Sequence, residues 1–327
     1  MDKFNAIVIR ENNDQLSFQR EMIDLSMLSE GNVIVRVNYS SLNYKDMLAF
    51  QPNGGVIRSY PMIPGVDFSG EVVQSDDPNF VPGDEVLLTG YDVGVTHTGG
   101  FAEYARVPGK WLVHIPETMS MREAMIWGTA GFTAALAVEK LQQLGMNDPK
   151  SRILVAGATG GVGSVAIALL KQLGFQSVTG LVHSGEREKI ARDFGADHVI
   201  TSSRLDKDQA PLTTEKYDFA IDAVGGEVTS QILPTISYGG SIAITGNAGG
   251  NQLLTTVLPF ILRAVSLVGI DSVAVKNDKR QAVWNILATD WDITDQLQVT
   301  EIGIDDIPDE LAKIQAGNHT GRTIIRF

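Results

Sequence analysis

Ile153-Leu-Val-Ala-Gly157-Ala-Thr159-Gly160-Gly161-Val-Gly163 is the stretch on which the reading of the chain turns. Four apolar residues fit a buried parallel strand, and they run into a turn holding four glycines. Beyond it, Ser164-Val-Ala-Ile-Ala-Leu-Leu-Lys-Gln-Leu173 has the apolar spacing and the residue types of a helix. Strand, glycine-rich turn and helix together make a phosphate-binding device. Glycine lets the backbone approach a pyrophosphate closely, and the N–H groups of the first helical turn point at the anion. The first glycine of the usual G-x-G-x-x-G spacing is displaced from Ala158 to Gly157, while Gly160 and Gly163 keep their places. A glycine pattern alone is weak. The flanking strand and helix favour a dinucleotide site over a plain tight turn.

After this unit the chain keeps alternating. Ser177 to Val182, His198-Val-Ile200, Phe219-Ala-Ile-Asp222, Ser241-Ile-Ala-Ile-Thr245 and Ser266-Leu-Val-Gly-Ile270 read as strands, with Glu186 to Phe194 as a helix before the third strand of the series. Strands separated by helical stretches predict an α/β fold, a Rossmann-type doubly wound parallel sheet. Ahead of it, Met121 to Gln143 is long, apolar and Ala-rich, and Gly145-Met-Asn-Asp-Pro149 reads as a linker. Earlier still, Val33-Ile-Val-Arg-Val37, Gly70-Glu-Val-Val73, Glu85-Val-Leu-Leu88 and Phe101-Ala-Glu-Tyr-Ala-Arg-Val107 are short and rich in β-branched or aromatic residues. They predict a compact antiparallel barrel or sandwich. Asp305 to Ala316 reads as a helix, and Arg322-Thr-Ile-Ile-Arg-Phe327 as a strand returning to the first domain. The expected division is a dinucleotide-binding domain over 123–290 and a β-rich domain over 1–122 and 291–327.

Composition narrows the function. In 327 residues, 43% are hydrophobic and 20% charged, as in a globular protein with room for two domains. The net charge of −13 argues against nucleic acid or an anionic membrane surface as a partner. There are no cysteines, so disulfides, thiolate chemistry and Cys-ligated zinc are excluded. The five histidines, His97, His114, His183, His198 and His319, lack metal-ligand spacing, and only His183 sits where a cofactor contact fits. The opening Met-Asp-Lys-Phe-Asn-Ala-Ile-Val does not read as a signal peptide, so the expectation is a soluble cytoplasmic protein. The apolar window Leu253 to Ile270 is interrupted by Pro259 and Arg263 and reads as a buried helix followed by a strand, not a membrane span.

The second strand decides between the two nicotinamide nucleotides. NAD-binding units of this kind carry a carboxylate about 20 residues beyond the glycines. Here the strand runs into Gly180-Leu-Val-His183-Ser184-Gly185-Glu186-Arg187, with no acid at its tip. The Ser184 hydroxyl and the Arg187 guanidinium, with Lys189 nearby, suit a 2′-phosphate, which makes NADP the better reading. In the alternative, Arg187 and Lys189 lie on the solvated face of a surface helix.

Several motifs resemble the medium-chain dehydrogenase/reductase superfamily. They are Ser41-Leu-Asn43-Tyr44-Lys45-Asp46, Pro64-Gly65-Val-Asp67-Phe-Ser-Gly70, Gly99-Gly100-Phe-Ala-Glu-Tyr104 and Gly128-Thr129-Ala130-Gly131-Phe132-Thr-Ala. Pro259-Phe-Ile-Leu-Arg263 and Gly269-Ile-Asp271-Ser272-Val resemble the branch holding acryloyl-CoA reductase and proteins labelled quinone oxidoreductases. The resemblance implies a GroES-like β-barrel catalytic domain beside the Rossmann-type sheet. Zinc alcohol dehydrogenases of the superfamily place a Cys in the segment matching Ser41 to Asp46 and a His in that matching Gly65 to Gly70. This chain has Asn43-Tyr44 and Val66-Asp67 there, which implies a zinc-free member, with no metal.

By the resemblance, Thr159, Gly160, Gly161 and Val162 line the pyrophosphate and Ala223 the adenosine side. Asn247, Ala248, Ile270 and Ser272 lie near the nicotinamide, and Asn318 reaches the cofactor from the other domain. Asn43 and Tyr44 stand at the mouth of the cleft as the catalytic pair. Tyr44 contacts the nicotinamide ribose, donates a hydrogen bond, passes a proton to the substrate, or covers the cofactor without chemistry. Asn43 orients Tyr44 or the substrate, or caps a turn. Thr129 and Phe132 are expected to pack at the domain junction. The implied reaction is NADPH-dependent reduction of an activated alkene such as acryloyl-CoA, with quinone reduction and non-catalytic NADPH binding as alternatives. An acyl-CoA substrate calls for a basic patch, for which Arg58, Lys45 and Arg263 are candidates. Family members commonly form homodimers through the sheet edge around Leu267 to Val273, and the apolar run there fits that.

Overall fold

The computed structural model describes residues 3–13, 15–205 and 210–327; Met1 and Asp2 of the N-terminal stretch read above lie outside them. In chain order the first elements are β1 (Phe4–Asn12), β2 (Gln15–Ile23), β3 (Val33–Ser41), α1 (Tyr44–Ala49), β4 (Asp67–Ser75), β5 (Glu85–Thr89), β6 (Tyr104–Val107) and β7 (Val113–His114). Then come α2 (Met121–Gln143), β8 (Arg152–Ala156), α3 (Gly161–Gln172), β9 (Ser177–Val182), α4 (Glu188–Asp193), β10 (His198–Thr201), β11 (Tyr217–Asp222), α5 (Gly226–Ile232) and β12 (Ile236–Ile244). The chain closes with α6 (Leu258–Arg263), β13 (Ser266–Gly269), α7 (Asn277–Leu287), β14 (Val299–Ile302), α8 (Ile307–Gln315) and β15 (Arg322–Arg326).

Contacts divide the chain into two compact units: Met1–Thr129 with Ser272–Thr294 and Val299–Phe327, and Ala130–Asp271 with Asp295–Gln298. The sequence had assigned α7 to the dinucleotide domain. In the structure Arg280 of α7 donates to Thr89 O (2.7 Å) and Asn277 Nδ2 to Leu112 O (3.0 Å), which ties the helix to the first unit.

The first unit is built on a seven-stranded sheet running β14-β15-β3-β4-β5-β7, with β6 paired to β3. All its pairs are antiparallel except β14 with β15. Alternation along β3 and β4 turns Val33, Val35, Val37, Phe68 and Val72 into one buried cluster with Val86, Leu88 and Val107. The C-terminal strand returns here as expected: β15 pairs with β3, Ile324 opposite Ser41.

The second unit holds a six-stranded, all-parallel sheet in the order β10-β9-β8-β11-β12-β13. The order reverses between β8 and β11, the doubly wound arrangement in which ligands sit beyond the carboxyl ends of the strands. Leu154, Ala156, Leu181, Ala220, Ile232 and Ile242 form its core.

One long segment carries a kink, and one expectation needs correction. Met121 to Gln143 is two helices merged across a kink, for Gly128 has φ +50° and ψ −158°. The window Leu253 to Ile270 does contain a helix and then a strand, but the helix is not buried. Within α6 only Pro259 is buried, while Ile261 is 68% exposed and Leu262 57%. α6 packs on β12 and Phe260 turns to the core of the unit, but among the described residues nothing covers Ile261 and Leu262. Among the described residues no helix is long and apolar enough to cross a membrane.

Candidate dinucleotide and substrate site

Five parallel strands end along one edge of the second unit, and each is followed by residues expected to meet the cofactor. Thr159 to Val162 follow β8, Ser184 and Arg187 follow β9, Ala223 follows β11, Asn247 and Ala248 follow β12, and Ile270 follows β13. Five adjacent strands at about 4.8 Å spacing span about 19 Å, a track along which an extended dinucleotide can lie. The glycine-rich turn is built as the sequence required. Gly160 is the N-cap of α3, and a Cβ on Gly163 would stand 2.1 Å from Gly157 O, so only glycine lets helix and strand meet here. Gly161, Val162 and Gly163 fill the first turn of α3, whose N–H groups have no intrahelical acceptor. These residues fit a pyrophosphate.

Arg187 is not on a solvated face. It is 8% exposed, ends a short 3-10 turn (Gly185–Arg187), and donates from Nη1 to Thr159 Oγ1 at 2.9 Å. The guanidinium therefore joins the β9 tip to the glycine-rich turn. Burial pulls its pKa down. His183 is likewise depressed by burial first and by the Arg187 charge second, against Glu186. A 2′-phosphate would meet a cation that is already partly desolvated, where charge-assisted hydrogen bonds are strong.

Asp222, the acid at the tip of β11, is buried and bonded within its own turn. Its Oδ1 accepts from Val224 N (2.8 Å) and Gly225 N (3.0 Å) and its Oδ2 from Thr229 Oγ1, so it shapes the turn carrying Ala223. A cavity of about 650 Å³ in this unit is lined by Glu227, Ser230, Gln231, Gly249, Asn251 and Thr255, among others. It shares no lining residue with the cofactor set expected from the sequence.

In the first unit, Asn43, Tyr44, Ser272 and Asn318 are the expected site residues. Tyr44 is the first residue of α1 and is 41% exposed; Asn318 lies exposed in the turn after α8. Asn43 does more than cap a turn. Its backbone N–H donates to Asp46 Oδ2 at 2.9 Å, whereas its side-chain amide turns inward to Asp67 Oδ2 at 2.9 Å.

Asp67 is the centre of a buried polar cluster. It accepts from Ser41 N (2.9 Å), Ser41 Oγ (2.7 Å), Asn43 Nδ2 and Thr129 N (2.8 Å). Arg322, also fully buried, donates to Ser41 Oγ at 2.9 Å and to Ile126 O at 2.8 Å. Burial lowers the Arg322 pKa while Asp67 and Asp46 raise it. Asp46 accepts from Asn43 N and Val66 N (3.0 Å), yet burial and then the Asp67 charge push its pKa up to about 8. Gly128 closes the cluster: a Cβ there would stand 2.5 Å from Ser41 Oγ and 2.6 Å from Arg322 Nη2. The kink in α2 thus falls at a residue where a side chain has no room.

Asp46, Asp67 and Gly128 stood in the motifs quoted from the sequence without a role. Nothing in the sequence marked Arg322 as buried. Of the basic candidates for an acyl-CoA patch, Arg263 is removed. Its guanidinium is given to Pro234 O (2.8 Å), Ile236 O and Thr213 O and pairs with Glu215. Among the described residues no group of three or more His, Cys, Asp or Glu is placed to hold a metal ion.

A unit with a doubly wound parallel sheet bearing a glycine-rich first turn, joined in one chain to a largely antiparallel unit, defines a two-unit dehydrogenase architecture. Residues 29–117 match the family described as alcohol dehydrogenase GroES-like domain, and residues 161–289 that described as zinc-binding dehydrogenase. The acrylyl-CoA reductase AcuI of Ruegeria pomeroyi is 40% identical over 98% of both chains. A Bacillus subtilis protein named "Putative quinone oxidoreductase YhfP" is 41% identical over 99% of both, and its structure with NAD bound superposes with a TM-score of 0.95. The yhdH oxidoreductase of Salmonella enterica in complex with NADP is 41% identical over 99% of both chains, with a TM-score of 0.95. The chain belongs to the medium-chain dehydrogenase/reductase superfamily. One of the matched families takes its name from zinc, but this chain has no cysteine. The residues of its Ser41–Asp46 and Gly65–Gly70 segments are hydrogen-bonded to one another.

Proposed function

We propose that this chain is a zinc-independent, NADPH-dependent reductase of the activated double bond in small α,β-unsaturated carbonyl compounds, with acryloyl-CoA as the leading substrate. The observation that carries the reading is the 40% identity to AcuI over 98% of both chains. Thr159, Gly160, Gly161 and Val162 hold the pyrophosphate, and Ser184 and Arg187 the 2′-phosphate. Ala223 meets the adenosine side, and Asn247, Ala248, Ile270, Ser272 and Asn318 the nicotinamide side. Bound NADPH supplies the hydride for the β-carbon of the alkene. The chain's part is to orient the alkene and to stabilise the negative charge that develops on the carbonyl oxygen.

Tyr44, at the start of α1, donates from its hydroxyl either to the cofactor's ribose or, as a proton, to the α-carbon. Asn43 orients it: the Asp67 network fixes Asn43, and Asn43 opens the helix on which Tyr44 stands. The exposed residues Leu254, Val257, Ile261 and Leu262, in the run that leads into the edge strand β13, support a homodimer. We read the enzyme as cytoplasmic. A second reading, quinone reduction, has specific support in the name and 41% identity of YhfP.

NADPH oxidation at 340 nm, followed with acryloyl-CoA, a simple enone and a soluble quinone and repeated with NADH, tests the proposal. Fast turnover with the thioester and NADPH is expected. Turnover of quinone alone would replace this reading by the second, and silence with every acceptor would leave a nucleotide-binding protein. Tyr44→Phe separates the two roles of the hydroxyl: a fall in kcat at unchanged NADPH affinity marks proton transfer.

A further inference from the structure

Helix α7 presents Arg280, Val283, Trp284 and Leu287 inward, the spacing of one helical face. A fully buried arginine on that face needs partners. It finds them on two sides. Nη1 donates to Thr89 O (2.7 Å) and Thr89 Oγ1 (2.6 Å) at the end of β5, and Nη2 to Ser272 O (3.2 Å) and Val273 O (3.1 Å). Its Cζ stands 4.8 Å from the centre of the Tyr91 ring. Tyr91 grips the same segment, through its N–H on Val273 O (3.1 Å) and its hydroxyl on Val275 O (3.3 Å), and it adopts φ +51° to do so. A non-glycine residue held in the left-handed region marks a place that its surroundings over-determine. Ser272 is the first residue of the first unit after the chain leaves the second at Asp271. The grip therefore falls within the five residues that follow Ile270.

We propose that Arg280 is a positioning residue for the nicotinamide half of the cofactor. Its guanidinium fixes the backbone of Ser272 and Val273, and so the Ile270–Ser272 segment that meets that half. The proposal rests on the NADPH reading above. A guanidinium is required because its fork serves two carbonyl groups and the β5 terminus at once while stacking on Tyr91; an ammonium cannot do all three.

Dissociation constants of NADPH and of 2′,5′-ADP, which carries only the adenosine half, test it on folded Arg280→Met, Arg280→Lys and Thr89→Val, with kcat and KM beside them. Arg280→Met is expected to weaken NADPH about tenfold, the loss of charge-assisted hydrogen bonds, and to leave 2′,5′-ADP within about twofold. Arg280→Lys is expected to recover part of that loss. Equal weakening of both ligands, or of neither, would overturn the proposal, because a general loss of folded protein lowers kcat without separating the halves. Should both arginine variants fail to fold, Thr89→Val decides. It removes one acceptor, so NADPH alone weakening by a few-fold supports the role and an unchanged NADPH constant overturns it. If the unaltered protein binds neither ligand, the cofactor reading itself falls and takes this proposal with it.

Discussion

Arg187 reaches from the tip of β9 to Thr159 in the glycine-rich turn, and so joins two parts of the proposed cofactor track. Its loss should be read in the choice of nucleotide rather than in stability. Arg187→Met is expected to lower kcat/KM with NADPH by about tenfold or more, the worth of a charge-assisted phosphate contact. The value with NADH should change far less, and equal losses with both nucleotides would remove Arg187 from the phosphate site. Asp46 answers to pH instead. Its pKa of about 8 in the folded chain lies above the ordinary carboxylate value of 3.8. Between those values the unfolded chain has released a proton that the folded chain keeps. The contribution to stability is therefore full below the unfolded value and is lost as pH rises to about 8. Denaturant midpoints from pH 5 to pH 9 should fall for the natural protein. For Asp46→Asn they should stay level in that window, at a constant cost, since one amide oxygen cannot serve both Asn43 N–H and Val66 N–H. A parallel decline in the variant would assign the pH dependence to other groups.

At the scale of elements, what could be read from the sequence was whatever a short window contains. Strand β8, the glycine turn and α3 sit within Arg152–Gln172, and period, glycine placement and helix formers agree over that span. The strands from β9 to β13 were legible for the same reason. The Asp67 cluster was not, because Ser41, Asp67, Gly128 and Arg322 meet only after β3, β4, α2 and β15 have packed. Burial of α6 was misread because a hydrophobic window shows that a surface wants covering, not what covers it. Leu254 at 80% and Ile261 at 68% exposure lie in the run of chain that leads into β13, the edge strand of its sheet among the described residues. An open edge next to an apolar patch is the geometry of sheet-edge pairing between two copies. The pair Leu254→Asp and Ile261→Asp should therefore convert a species of twice 35.3 kDa into one of 35.3 kDa in light scattering after gel filtration. A natural protein already at 35.3 kDa would refute the dimer.

The whole molecule carries a net charge of −13, and this bears on which acceptor it meets. A CoA thioester is a polyanion and a simple quinone is neutral, so the field of the protein acts on the first and not on the second. Of the three basic residues considered for an acyl-CoA patch, Arg263 is spent on Pro234, Ile236 and Thr213 carbonyls, which leaves Lys45 and Arg58 against the overall acidic balance. With NADPH saturating, raising the ionic strength from about 0.02 M to 0.2 M shortens the Debye length from about 20 Å to about 7 Å and screens the repulsion. The value of kcat/KM for acryloyl-CoA is then expected to rise by about two- to threefold, while that for an uncharged quinone or enone stays flat. A fall with salt for the thioester alone would reverse the inference. It would mean that local cations, Lys45 and Arg58 first among them, outweigh the global charge and form a phosphate patch, which Lys45→Gln and Arg58→Gln would then abolish.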